Sequence, residues 1–158
     1  MHTYVIALDQ GTTSSRAVLF DENAHIVAMK SYEFEQLYPQ PGWVEHDPTA
    51  ILNTQIDALH EVVRISGVPL ESIAAIGITN QRETTLLWDR KTGRPLYNAI
   101  VWQCRRTAPI VARLCEEGLE EHIRTTTGLV PDAYFSGSKL SWLLDTLDLH
   151  EQAENGEI

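Results

Sequence analysis

The stretch YVIALDQGTTSSRAVLFD, residues 4–21, decides how the rest of the chain is read. Tyr4 to Leu8 is a short continuous apolar run, the pattern of a strand buried on both faces. It ends in an acid, Asp9. Then come Gly11, four consecutive hydroxyl residues (Thr12 to Ser15) and Arg16, the last two opening a second β-prone run, Ser15 to Phe20. Asp21 to Ala24 reads as a turn and Ile26 to Phe34 as a third strand. Parallel neighbours need a far longer crossover than these connections allow, so the three runs are predicted to form an antiparallel meander.

The polar loop between the first two runs carries chemistry of its own. Gly11, Thr12, Thr13 and Ser14 offer backbone N–H groups and hydroxyls without bulk, a combination that cradles anions. The G-x-x-x-x-G-K-[ST] pattern and its lysine are absent, and so is G-x-G-x-x-G. Asp9 beside bound phosphate would be repelled unless a cation sat between them, and Mg²⁺ binds through one carboxylate plus substrate phosphates. Arg16 adds a fixed positive charge. A plain polar hairpin, with an acid as turn former, fits the same residue types equally well.

Outward from this stretch, Glu35 to His46, with Pro39, Pro41 and Gly42, is predicted to be a loop. Asp47-Pro48 starts a helix: an acid at the N-cap and a proline where its missing donor costs nothing. Ile51, Leu52, Ile56, Leu59, Val62 and Val63 form its apolar face, and it ends near Gly67. Ile73 to Thr79 is a strand, Asn80 to Glu83 (NQRE) interrupts it, and Thr84 to Asp89 resumes a strand pattern. Ile100 to Trp102 is a further short strand. Helices are predicted over Thr107 to Glu117, Glu120 to Thr126 and Ser138 to Leu147, and Gly156 reads as a helix end. A meander followed by alternating helix and strand makes a layered α/β or α+β domain.

Composition narrows the classes. With 158 residues, 43% of them hydrophobic, the chain is one domain's worth and long enough to bury a core. Its net charge of −10 argues against sequence-independent binding to nucleic acid. No apolar run approaches the roughly 20 residues that span a bilayer. No signal-peptide pattern is visible, and Cys104 and Cys115 make no disulfide framework, so reduced thiols in a cytoplasmic protein are expected. Six histidines without ligand spacing suggest no zinc site. His25, His46, His60, His122 and His150 are expected at the surface, and Trp43, Trp88 and Trp142 as core or loop anchors. Cys104 and Cys115, about three helical turns apart, should pack as small apolar groups. Cys104 to Arg106 (CRR) reads as a solvated helix start rather than an anion site, and the glutamate pairs 116–117 and 120–121 as solvated faces.

NQRE stands at a strand end, a common position for ligand contacts. Arg82 offers a rigid fork of donors and Glu83 is an acceptor, a pair suited to a molecule rich in hydroxyls. By spacing alone, an exposed ion pair worth little explains them better. Trp102 and Tyr134 likewise read as core and loop anchors on their own.

ALDQGTTSSRAVLFD resembles the first phosphate loop of the FGGY family of sugar and polyol kinases, within the actin/hexokinase/Hsp70 superfamily of ATPases. PGWVEHDP, IGITNQRETTLLWD, NAIVWQCRRT and TGLVPDAYFSGSK resemble its glycerol-phosphorylating branch, so the likeness runs over essentially the whole chain. Ala133 departs from it, standing where that branch often has proline before the Tyr-Phe pair. The resemblance implies an α/β, ribonuclease H-like (actin/hexokinase-type ATPase) domain: a mixed sheet with an antiparallel N-terminal meander, flanked by helices and truncated. Residues 1–158 would be an incomplete N-terminal kinase domain without its second domain.

The same resemblance implies transfer of a phosphoryl group from ATP, with Mg²⁺, to glycerol, giving sn-glycerol 3-phosphate. Asp9 would act on the metal through water, and Thr12, Thr13, Ser14 and Arg16 on phosphate oxygens. Arg82 and Glu83 would bond the glycerol hydroxyls, Trp102 would pack on its carbon backbone, and the Tyr134 hydroxyl would contact it. The family's general base is an aspartate well downstream, so no catalytic residue is expected in this portion, which alone should be inactive. A homo-oligomer is expected at full length, and composition already points to a cytoplasmic protein with neither nucleic-acid binding nor membrane insertion. Two other readings stand: a kinase for another polyol or a ketopentose, and a non-catalytic actin/Hsp70-like nucleotide-binding module. The second leaves Arg82, Glu83, Trp102 and Tyr134 unexplained.

Overall fold

In a computed structural model that describes residues 3–158, the opening runs form the antiparallel meander β1 (Tyr4–Gln10), β2 (Ser14–Phe20) and β3 (Ile26–Glu33). After it come β4 (Glu45–His46), α1 (Pro48–Ser66), a 3-10 turn (Leu70–Ser72), β5 (Ile73–Thr79) and β6 (Ala99–Ile100). Four helices follow: α2 (Ala108–Glu116), α3 (Glu120–Thr127), α4 (Ser136–Leu147) and α5 (His150–Glu154). The chain packs as two compact units. One holds the residues up to Gln36 with Thr49–Gln81, the other Leu37–Pro48 with Arg82–Ile158. No helix of the described residues is long and apolar enough to cross a membrane.

In the first unit the sheet order is β3-β2-β1-β5, and β5 runs parallel to β1. The sheet is therefore mixed, and α1 supplies the long crossover that a parallel pair requires. Ala58 and Val62 of α1 meet Ile6, Ala17, Leu19 and Ala28 of the sheet in one buried cluster. Gly67, at φ 65°, terminates the helix in the left-handed conformation that glycine adopts without strain.

Leu59, Val62 and Val63 of the predicted apolar face pack on the sheet, but Leu52 and Ile56 are exposed, at 59% and 40%. Polar bonds occupy the sheet side of the helix there. The Thr54 hydroxyl meets that of buried Ser15 at 2.8 Å, and Gln55 Nε2 donates to the Arg16 carbonyl at 3.0 Å. Both residues turn toward the sheet, so the buried stripe runs through Thr54, Gln55, Ala58 and Val62.

The second unit corrects more of the sequence reading. Within the expected loop Glu35 to His46, β4 pairs antiparallel with β6. The expected strand Thr84 to Asp89 is reduced to single bridges, Thr85 to Ile100 and Trp88 to Pro95. Between the residues bridged on the facing segment, Pro95 and Ile100, the side chains of Tyr97 and Asn98 turn onto Glu45. Helix α5 stops just short of Gly156, the glycine read as a helix end, while its start, too short and polar for a periodic signal, gave none.

Glu45 is also the centre of this unit's core. Arg106 is not solvated, as the sequence suggested, but buried with Glu45, its Nη2 donating to Oε1 at 2.6 Å. Its guanidinium lies 3.8 Å from the Trp43 ring centre and 4.7 Å from that of Trp142, and Nε donates to the Cys104 sulfur. Burial works against the Arg106 charge, yet the bonds to Cys104 and Glu45 outweigh it and hold its pKa above the ordinary value. Ile100, Cys104 and Leu143 complete the apolar cluster. Cys104 thus sits before α2 rather than on it, while Cys115 is exposed. His46 is fully buried, against the surface position predicted for it.

Glu45→Gln keeps the shape of the side chain but leaves the Arg106 charge uncompensated in the core. Removing one partner of a buried pair typically costs about 3–5 kcal/mol, and urea unfolding should detect a loss of that size. The double variant Glu45→Gln/Arg106→Met should recover most of it. Equal stability of the single variant and the parent would show that the pair contributes nothing.

Candidate functional site

The first unit presents the hydroxyl-rich loop. Gly11 N–H donates to the Ser14 carbonyl at 3.0 Å, closing the turn that joins β1 to β2. A Cβ on Gly11 would meet that carbonyl oxygen at 3.1 Å, so the tight closure favours glycine. The other loop carbonyls are engaged as well. Gln10 Nε2 donates to Gly11 O at 3.1 Å, Gln36 Nε2 to Thr12 O at 3.1 Å, and Phe34 N–H to Thr13 O at 3.5 Å. A loop whose four carbonyls all have donors has its acceptor oxygens neutralised, the condition for approach of an anion. Buried Ser15 donates to Gln10 Oε1 at 2.9 Å and so keeps the Gln10 amide in place.

Asp9 and Arg16 are cross-strand partners in the β1/β2 register. Their charged atoms are 3.7 Å apart, and each side chain is 44% exposed. Such a pair contributes little to stability. It leaves both groups available at the C-terminal end of β1, the usual ligand end of a strand in layered α/β folds. No cluster of three or more His, Cys, Asp or Glu residues suited to a metal exists among the described residues. One half-exposed carboxylate fits a Mg²⁺ ion that arrives on phosphates and keeps most of its waters, not one held by the protein alone.

The second unit brings three of the four predicted acceptor residues together. The Tyr134 hydroxyl donates to Glu83 Oε2 at 2.9 Å. The Tyr134 ring meets Trp102 edge-on at 5.8 Å and Phe135 at 5.1 Å. Glu83 adopts φ 57°, uncommon for a residue with a side chain and a mark of a constrained position. Trp102 is half-buried with its N–H held by Thr84 Oγ1 at 3.4 Å, and Arg82, beside Glu83, is exposed. The bond to Glu83, then burial and that carboxylate's charge, raise the Tyr134 pKa above its ordinary value.

Sequence reading missed the supports of this cluster. Asp132 Oδ1 accepts the Tyr134 N–H at 2.7 Å and Arg105 Nη1 at 2.7 Å. The Arg105 bond, then the Tyr134 N–H, holds the Asp132 carboxyl below the usual carboxylate range. The signal was present as an Asx-turn pattern, Asp132 two residues before Tyr134. Ala133 between them, the departure from the proline pattern, is fully buried. Lys139, also fully buried, lies one turn into α4 and had no signal beyond its place among apolar residues.

Residues 4–155 match the N-terminal domain of the FGGY family of carbohydrate kinases. The chain is 58% identical over 156 residues to glycerol kinase 2 of Thermotoga maritima, covering 98% of this chain and 32% of that protein. It is 60% identical to a glycerol kinase of Haemophilus influenzae, covering 98% of this chain and 31% of the relative. Among solved structures, the glycerol kinase of Plasmodium falciparum with ADP superposes at a TM-score of 0.90 with 33% identity, over 98% of this chain and 31% of that one. The chain thus spans about a third of the length of the relatives it matches.

Glu83→Gln removes the charge that resists ionisation of the Tyr134 phenol. Followed by NMR of ¹³C-labelled tyrosine, the Tyr134 titration should move down toward roughly 10, the ordinary value. A titration at the same pH in parent and variant would mean that the two side chains do not meet in solution.

Proposed function

The chain belongs to the FGGY family of carbohydrate kinases, and from that premise we propose that it is the N-terminal portion of an enzyme that phosphorylates glycerol with ATP, giving sn-glycerol 3-phosphate. The observation that carries this reading is the Glu83–Tyr134–Trp102 cluster. A small polyol needs donors and acceptors for its hydroxyls and an apolar surface for its carbons. Arg82 supplies donors, Glu83 an acceptor and the Tyr134 hydroxyl either, while the Trp102 ring supplies the apolar face. Identities of 58% and 60% to two glycerol kinases favour glycerol over a ketopentose as acceptor. A nucleotide-binding module without an acceptor would have no use for this cluster.

Phosphoryl transfer asks the protein mainly for positioning and for stabilising charge. Thr12, Thr13, Ser14 and Arg16 would contact phosphate oxygens, and the saturated carbonyls of their loop support that role. Asp9 would hold Mg²⁺ through water; the ion, when bound, neutralises charge on the nucleotide phosphates. The general base would be an aspartate in the rest of the protein, so residues 1–158 form an incomplete domain that is inactive alone. The whole enzyme would work in the cytoplasm as a homo-oligomer.

Two substitutions in the full-length kinase test the assignment. Arg82→Ala should raise the glycerol KM roughly tenfold or more, since an unpaired polar site costs about 1–3 kcal/mol, while the ATP KM stays put. Unchanged glycerol kinetics would return Arg82 to the role of a surface cation. Asp9→Asn should lower kcat roughly a hundredfold, the scale of losing one group that stabilises transition-state charge, with glycerol affinity intact. Full turnover in that variant across magnesium concentrations would remove Asp9 from the metal site.

A further inference from the structure

Lys139 is buried without solvent contact, and its ammonium donates to the main-chain carbonyls of Tyr134 and of Phe135, the latter at 3.2 Å. Buried cations ordinarily pair with carboxylates. Here the bonds go to uncharged oxygens, close to the N-terminus of α4, where the helix dipole opposes a positive charge. The position is therefore costly, and what it holds is specific. Tyr134 and Phe135 form the short segment that leads into α4, and their rings are in contact. The Tyr134 ring meets Trp102, and its hydroxyl is bonded to Glu83. The N–H side of the same segment is held by Asp132, itself fixed by Arg105. Lys139 holds the carbonyl side.

We propose that Lys139 is a positioning residue for the acceptor site: by clamping the Tyr134 and Phe135 carbonyls it keeps the Tyr134 ring against Trp102 and the Tyr134 hydroxyl on Glu83, in the arrangement a polyol requires. The inference rests on the glycerol reading above. It adds a residue that touches no substrate and acts through Tyr134.

A pH dependence follows. Burial lowers the Lys139 pKa to about 8, although the neighbouring Cys104, Glu83 and Asp132 favour its charge; Arg105 opposes it. The Tyr134 phenol, held above its ordinary range, is still protonated there. Above that pH the neutral amine keeps two N–H groups but loses the charge that strengthens both bonds. Folding stability moves the other way. The folded-state pKa lies below the unfolded one, so the unfolded chain holds more protons between about 8 and 10.5, and stability rises with pH across that window. A merely structural lysine would show the stability rise alone. A positioning lysine would also show weaker acceptor binding.

The test measures glycerol KM and ATP KM for the full-length kinase from pH roughly 7 to 9.5, for the parent and for Lys139→Met. The parent's glycerol KM should rise about threefold through pH 8 as the charge-assisted bonds weaken, with the ATP KM level. At pH 7 the variant should have a glycerol KM about tenfold higher than the parent, the scale of a lost hydrogen bond, and no further change at alkaline pH. A level glycerol profile in the parent, or an equal rise for both substrates, overturns the proposal, and neither readout requires the variant to fold. A parent that phosphorylates no glycerol overturns the glycerol reading and this inference with it. A parent that uses glycerol with a level profile overturns the positioning role only.

Discussion

Taking a guanidinium and a carboxylate out of water together costs several kcal/mol for each ion unless the geometry returns it. Arg106 and Glu45 approach that condition with a 2.6 Å bond, two aromatic faces on the guanidinium, and Tyr97 and Asn98 on the carboxylate, leaving Arg106 Nη1 without a hydrogen bond. Much of the second unit follows from this one pair. Glu45 itself lies on β4 and is paired with Ile100 of β6. The ion pair orders the turn from Val101 to Thr107, which carries Trp102 and Arg105, and Trp142 on the far side of the guanidinium ties in α4. Trp102 and the Arg105 that anchors Asp132 therefore take their places from an ion pair that touches neither of them.

The first unit reaches an ordered loop by another route. Its support is hydrogen bonding to the main chain rather than a buried charge. Two glutamine amides and one backbone N–H occupy carbonyls of the hairpin, and the Gly11 to Ser14 bond closes it. Ser15 bridges the hairpin to α1 through Thr54. The pairing explains why the apolar stripe of α1 is interrupted by Thr54 and Gln55: the helix contributes polar partners to the strand that carries the loop.

What could be read from the sequence followed the range of the interactions. The meander, α1 and the strand at Ile73 depend on local periodicity and short turns, and they were legible with boundaries off by a residue or two. Thr84 to Asp89 has the alternation of a strand, but a strand also needs a continuous partner, and the facing segment meets it only in single bridges, which alternation cannot reveal. Arg106 and His46 were expected at the surface for the same reason, because their partners are distant in sequence and burial of a polar group leaves no local pattern. The proposed acceptor residues Arg82, Glu83, Trp102 and Tyr134 stood out only through family resemblance. Their meeting depends on tertiary packing, and by spacing alone each had a plainer explanation.

The two buried cations of the second unit also divide its labour in a way that residue type predicts. Arginine stays charged at every physiological pH, so the Arg106–Glu45 pair is a fixed support. Lysine loses its proton readily when desolvated, and Lys139 has main-chain oxygens rather than a carboxylate to hold that proton. The permanent charge lies with Glu45, under the strands, where a change with pH would dismantle the core. The titratable one lies beneath Tyr134, where a change alters only the grip on one segment. A lysine at position 106 would place the more readily deprotonated cation beside Glu45. The chemistry of each side chain thus accounts for which of the two supports the fold and which supports the site.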